Sequence, residues 1–147
     1  MILISADKNS IVKIEKGELI SFQHNNHEYI HQKGNKGWRN SDDEMFPVIG
    51  PTSKNNFIVH TKNGDAILDQ HGLLRELEYS LVSSNDNSVS FIKTYKKNSF
   101  VKNSKFPKKS DIEHLFWPYN FNFQKNFKIE MIIHLNQLCV STRNGHS

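Results

Sequence analysis

Residues Phe121, Phe123, Phe127, Ile129, Met131, Ile133 and Leu135 share one parity, and Gln124, Lys128 and Glu130 fall on the other. Apolar residues repeating every second position line one face of an extended strand. A strand this long and this one-sided needs a facing sheet and a neighbour on each side. The chain downstream offers little for that purpose. Asn136-Gln137 reads as a turn into Leu138-Cys139-Val140, and residues 141–147 are polar with no strand signal. Long unprotected sheet edges are a liability. The expectation is therefore an incomplete β-fold that either stops short of its natural end or pairs with another copy.

The rest of the chain reads the same way. Ile11-Val12-Lys13-Ile14 and Leu19-Ile20-Ser21-Phe22 flank a turn at residues 15–18, and Glu28-Tyr29-Ile30 follows Asn25-Asn26. Residues 56–60 and 66–68 flank Asn63-Gly64, a strong hairpin signal. Glu78–Val82 and Ser88–Tyr95 form another pair, with Val89, Phe91, Lys93 and Tyr95 alternating against Ser90, Ile92 and Thr94. With 17 Asn against 7 Gly and 4 Pro, the turns are expected to rest on Asn, which tolerates left-handed backbone. Helical periodicity is absent from the first third, and a single helical turn is expected near Ser110–Phe116, capped by Ser110 or Asp111. Residues 31–44 form a polar loop in which Trp38 either packs down as an anchor, the commoner case, or offers a stacking face. The 147 residues amount to one domain, 1–147.

The net charge is +4, but the lysines between 93 and 109 fall in a loop-like setting without a nucleic-acid motif, so no nucleic-acid partner is expected. A single Cys139 excludes an internal disulfide and a thiolate cluster; it fits a reducing compartment. Neither a signal peptide nor a membrane-spanning stretch is evident. A cytoplasmic protein is expected, with no membrane association, no metal and no cofactor.

One loop carries the chemistry: Asp69-Gln70-His71-Gly72-Leu73-Leu74-Arg75-Glu76. It lies between two strand-like runs, where function concentrates. Neutral imidazole donates from one nitrogen and accepts at the other, which suits a polyhydroxylated ligand. An isolated His also commonly serves only to tie down its own turn.

Several segments in order carry a resemblance: Gly17-Glu18-Leu19-Ile20-Ser21, Glu28-Tyr29-Ile30, Trp38-Arg39-Asn40-Ser41, Met45-Phe46-Pro47-Val48-Ile49-Gly50 and residues 71–79. Over about residues 11 to 140 the chain resembles the aldose 1-epimerase (galactose mutarotase) superfamily, most closely its bacterial branch with Phe-Pro-x-x-Gly and His-Gly-x-x-Arg signatures. The resemblance implies the N-terminal portion of an antiparallel β-sandwich that binds a free aldose, a hexose or hexose phosphate. It implies anomer interconversion by ring opening, a carboxylate taking the anomeric proton and a His donating to the ring oxygen. By this correspondence His71 is the catalytic residue of the set, Arg75 contacts a hydroxyl or phosphate, and Arg39 and Asn40 lie on a loop near the cleft.

Two departures stand against this. Pro51 occupies the place where many relatives carry a substrate-binding Arg. The family's second His and its Glu fall beyond this chain; Gly145-His146 echoes the His motif but comes too soon after Val140. The expectation is a truncated protein, inactive alone. The alternatives are a non-catalytic carbohydrate-binding module or a self-associating β-protein in which His71 is structural, each compatible with a homo-oligomer through the exposed sheet edge.

Overall fold

The computed structural model describes residues 1–132 and 135–146, with side chains through residue 130. Its strands are β1 (Ile2–Ile4), β2 (Ser10–Glu15), β3 (Glu18–His24), β4 (His27–Glu28), β5 (Ile58–Thr61), β6 (Gly64–Ile67), β7 (Ser80–Ser84), β8 (Ser88–Tyr95), β9 (Val101–Lys102), β10 (His114–Leu115), β11 (Phe121–Ile132) and β12 (Leu135–His146). Two short 3-10 turns, Ser53–Asn55 and Leu74–Glu76, complete the regular structure. No α-helix occurs among the described residues, and none is long and apolar enough to cross a membrane. The chain folds as two compact units, residues 1–43, 79–92 and 124–143 in the first, 44–78, 93–123 and 144–147 in the second.

In the first unit β1 to β4 form an antiparallel sheet in chain order. Its tight turns are set by backbone conformation. Lys16 and Gly17 have φ of +50° and +82°, Asn25 and Asn26 of +49° and +65°. Positive φ at both central residues matches the twist of a two-residue hairpin. Val12 and Ile14 of β2 and Leu3 of β1 pack with Val89 and Phe91 of β8 and Phe127 and Ile129 of β11. Side chains from the faces of two sheets thus share one core, the arrangement of a β-sandwich. The Phe91 and Phe127 rings meet edge to face at 6.2 Å.

The second sheet has the order β12-β11-β8-β7. Val89, Phe91, Lys93 and Tyr95 on β8 are buried as their parity requires, and so are Phe121, Phe123, Phe127 and Ile129 on β11. The side chains of Met131, Ile133 and Leu135 lie outside the described ones. Residues Asn136-Gln137 are not a turn, and residues 141–146 are not unstructured: all belong to β12, which hydrogen-bonds to β11. The expected stub is therefore a full strand. Its polar sequence hid it, because backbone pairing needs no apolar side chains.

In the second unit β5 and β6 form the expected hairpin, with Lys62-Asn63 as its two-residue loop and Gly64 (φ +114°) opening β6. The helical turn at Ser110–Phe116 does not form. His114–Leu115 pairs with Val101–Lys102 instead, and Phe116 bridges Ile67. The Ser110 hydroxyl is taken by Asn103, whose Nδ2 donates to it at 2.9 Å, rather than by a helix terminus. Phe46, Tyr95 and Phe121 pack by their rings, at 5.0 Å for Phe46–Phe121 and 5.2 Å for Tyr95–Phe121.

Candidate functional site

The His71 loop is fixed by backbone bonds to a second loop of the same unit. The carbonyl of Phe46 accepts from the N–H groups of Leu73 (2.9 Å) and Leu74 (3.1 Å), and the carbonyl of Ile49 accepts from His71 N–H at 3.2 Å. Phe46 and Gly72 form a parallel bridge. Met45–Gly50 and His71–Arg75 are thus two halves of one hydrogen-bonded unit. Gly72 is required at the junction: its φ is +74°, and a Cβ there would lie 2.1 Å from the Phe46 oxygen.

His71 itself holds φ at +76°, a conformation that costs a side-chain-bearing residue of order 1 kcal/mol and is kept only where the surroundings over-determine it. Its ring is half-buried. His71 Nδ1 and Arg75 Nε are closed to solvent and have no hydrogen-bond partner among the described residues. Buried polar atoms left in this state are uncommon. Two on one loop, together with a left-handed histidine, mark a segment not optimised for stability alone.

Polar side chains that the sequence reading passed over hold this loop in place. Lys93 is buried on the core face of β8, and its Nζ donates to the Leu74 carbonyl at 2.9 Å, with Glu44 at 4.0 Å. On the other flank Asp69 accepts from Gln70 N–H at 2.7 Å and pairs with Lys105 at 3.3 Å. Lys105 also donates to the Gln70 carbonyl, and Thr52 Oγ1 to that of Leu68 at 2.6 Å. The one sequence signal for Lys93 is its position on an otherwise apolar parity.

Burial alone would raise the Asp69 pKa. The bonds from Ser110 and Gln70 and the charge of Lys105 outweigh it and hold the carboxyl below the usual carboxylate range. A depressed folded-state pKa adds stability above the unfolded value, about pH 4, and that stability is lost as pH falls through the folded value. Unfolding midpoints measured from pH 6 down to pH 2 should fall on the acid side, and Asp69→Asn should flatten that fall while lowering the pH 6 midpoint.

Arg39 and Asn40 belong to the first unit. Arg39 is exposed, and Asn40 donates through Nδ2 to both oxygens of Asp43 at 3.0 Å. Their loop is fastened to β3: Glu18 accepts from Ser41 N–H at 2.9 Å, and Asp42 accepts from Leu19 N–H at 3.1 Å and pairs with Lys125. Trp38 does not anchor the loop. It is 76 % exposed, because these backbone contacts fix the loop without it; its carbonyl bonds His31 Nε2 at 2.8 Å.

No family model matches the chain, and no curated protein does. Solved structures do. A galactose mutarotase-related enzyme from Lactobacillus acidophilus matches at a TM-score of 0.64 and 19 % identity, covering 99 % of this chain and 44 % of that one. A galactose mutarotase-like protein from Lactobacillus casei matches at a TM-score of 0.66 and 17 % identity, covering 100 % of this chain and 45 % of that one. The chain spans less than half the length of each. It has the galactose mutarotase-like β-sandwich fold.

Proposed function

We propose that the His71 loop is the sugar-holding part of an aldose 1-epimerase-like protein. It binds a free aldose or its phosphate and, within a full-length protein of this kind, supplies an imidazole to acid-base opening of the sugar ring. The observation that carries this reading is the loop's construction. A left-handed His71 is clamped to the Phe46 segment, with Nδ1 and the neighbouring Arg75 Nε lacking partners among the described residues. Strained backbone clusters at active sites and ligand clamps, and buried polar atoms without a partner call for an explanation beyond stability.

Calorimetric titration with galactose and glucose should give weak saturable binding. Asn tolerates the left-handed backbone, so His71→Asn keeps the loop's shape and removes the imidazole. Affinity should fall about tenfold or more, the worth of one ligand hydrogen bond. Polarimetry on a freshly dissolved single anomer should show no acceleration by the 147-residue chain. Binding unchanged in His71→Asn overturns the assignment of the loop; a clear acceleration overturns the expectation that the chain is inactive alone.

A further inference from the structure

Away from that loop, the second unit carries an open cavity of about 740 Å³ lined by His60, Thr61, Lys62, Trp117 and Tyr119. One wall is aromatic. The Trp117 and Tyr119 rings stand 5.3 Å apart with planes inclined at 44°, a wedge rather than a flat plate. Trp117 Nε1 is closed to solvent, so what this half-buried ring offers the cavity is carbon. The wall is rigidly mounted. Trp117 N–H donates to Tyr95 Oη at 2.9 Å, its carbonyl accepts from Asn98 N–H at 2.9 Å, and Phe116 exchanges both backbone bonds with Ile67.

The tip of the β5–β6 hairpin also lines the cavity. Thr61 Oγ1 donates to the Gly64 carbonyl at 2.6 Å, and His60 Nδ1 lies 2.7 Å from Asp65 Oδ1. These bonds fix the tip on both sides of Lys62, which is exposed and has no partner among the described residues. No carboxylate is among the described residues that line the cavity. The volume falls in the range of small-ligand sites.

Carbon-faced aromatic rings in one cavity with hydroxyl, imidazole and ammonium groups suit the two sides of a pyranose, one of C–H bonds and one of hydroxyls. An ammonium group with no carboxylate beside it among the described lining residues adds complementarity to an acidic substituent. The geometry points to a second saccharide-binding site, independent of His71. It takes a pyranose stacked on Trp117 and Tyr119 and favours an acidic sugar through Lys62.

The chain has two tryptophans, so Trp38→Phe leaves Trp117 as the reporter. In that background, fluorescence is titrated with methyl β-glucoside, methyl β-glucuronide and a polyproline peptide. Saturable changes are expected with both glycosides, the glucuronide tighter by about fivefold, as for one partly screened charge pair. Lys62→Ala should erase that preference, and Tyr119→Ala should weaken both glycosides about tenfold. Lys62 is a surface residue, so its variant decides the question even where Tyr119→Ala fails to fold. His71→Asn should leave these titrations unchanged, which separates this site from the loop described above. Three results overturn the proposal: no saturable change with either glycoside, a glucuronide preference that survives Lys62→Ala, or a response to polyproline alone.

Discussion

Gly72→Ala is expected to lower the unfolding free energy by about 3 kcal/mol or more, the range of a strained backbone combined with a forced separation of packed segments. Two faults act together. The left-handed φ of +74° disfavours any side chain, and the new Cβ would lie 2.1 Å from the Phe46 oxygen, 2.3 Å from its carbonyl carbon and 2.6 Å from Pro47 N. Backbone cannot swing aside as a flexible side chain does. Relief would pull Phe46 away from Leu73 and Leu74, whose N–H groups its carbonyl accepts. Urea unfolding measures the loss. Gly50→Ala is the control from the neighbouring motif: a Cβ there meets nothing within 4 Å and φ is not positive, so its effect should stay within about 0.5 kcal/mol.

Asp42→Ala should also be costly, by about 2–4 kcal/mol, because it leaves the Lys125 ammonium buried without its carboxylate. Lys125 is 2 % exposed on the core-facing parity of β11, with its Nζ 5.4 Å from the Tyr79 ring centroid and 5.2 Å from that of Phe127. Asp42 also holds Leu19 N–H at 3.1 Å, so the loop carrying Arg39 and Asn40 loosens with it. Lys125→Met keeps the volume and removes the charge; stability should be unchanged or higher, as when buried ion pairs give way to apolar residues. In the double variant most of the Asp42→Ala loss should disappear. Urea midpoints of the four proteins form the cycle, and a double variant no more stable than Asp42→Ala would mean that the ion pair is not what Asp42 supplies.

The strand framework was legible because side-chain parity and turn chemistry are local. β8, β11 and the hairpins at residues 16–17, 25–26 and 62–63 all declare themselves within a few residues. The His71 loop was legible as a candidate site through its His-Gly pair and the order of motifs around it. What held that loop was not, since Phe46, Lys93 and Lys105 reach it across 19 to 35 residues of sequence. The helical turn predicted at Ser110 failed because Val101–Lys102 pairs with His114–Leu115 and the Asn103 amide, seven residues back, takes the hydroxyl. Lys125 escaped notice, and the role of Lys93 did, because a lysine on an apolar parity reads as an interruption until its partner is known. Strand β12 went unread since its pairing is carried by the backbone.

The outermost strand of the second sheet, β7, has all five of its residues exposed, Leu81 and Val82 among them. Its outward row of amide and carbonyl groups can be extended by any segment able to lie alongside. Mutual repulsion between copies, each carrying a net charge of +4, opposes such growth, and dissolved salt screens that repulsion. Any edge-to-edge joining of copies at β7 is therefore expected to strengthen as ionic strength rises, and light scattering across a salt series measures it.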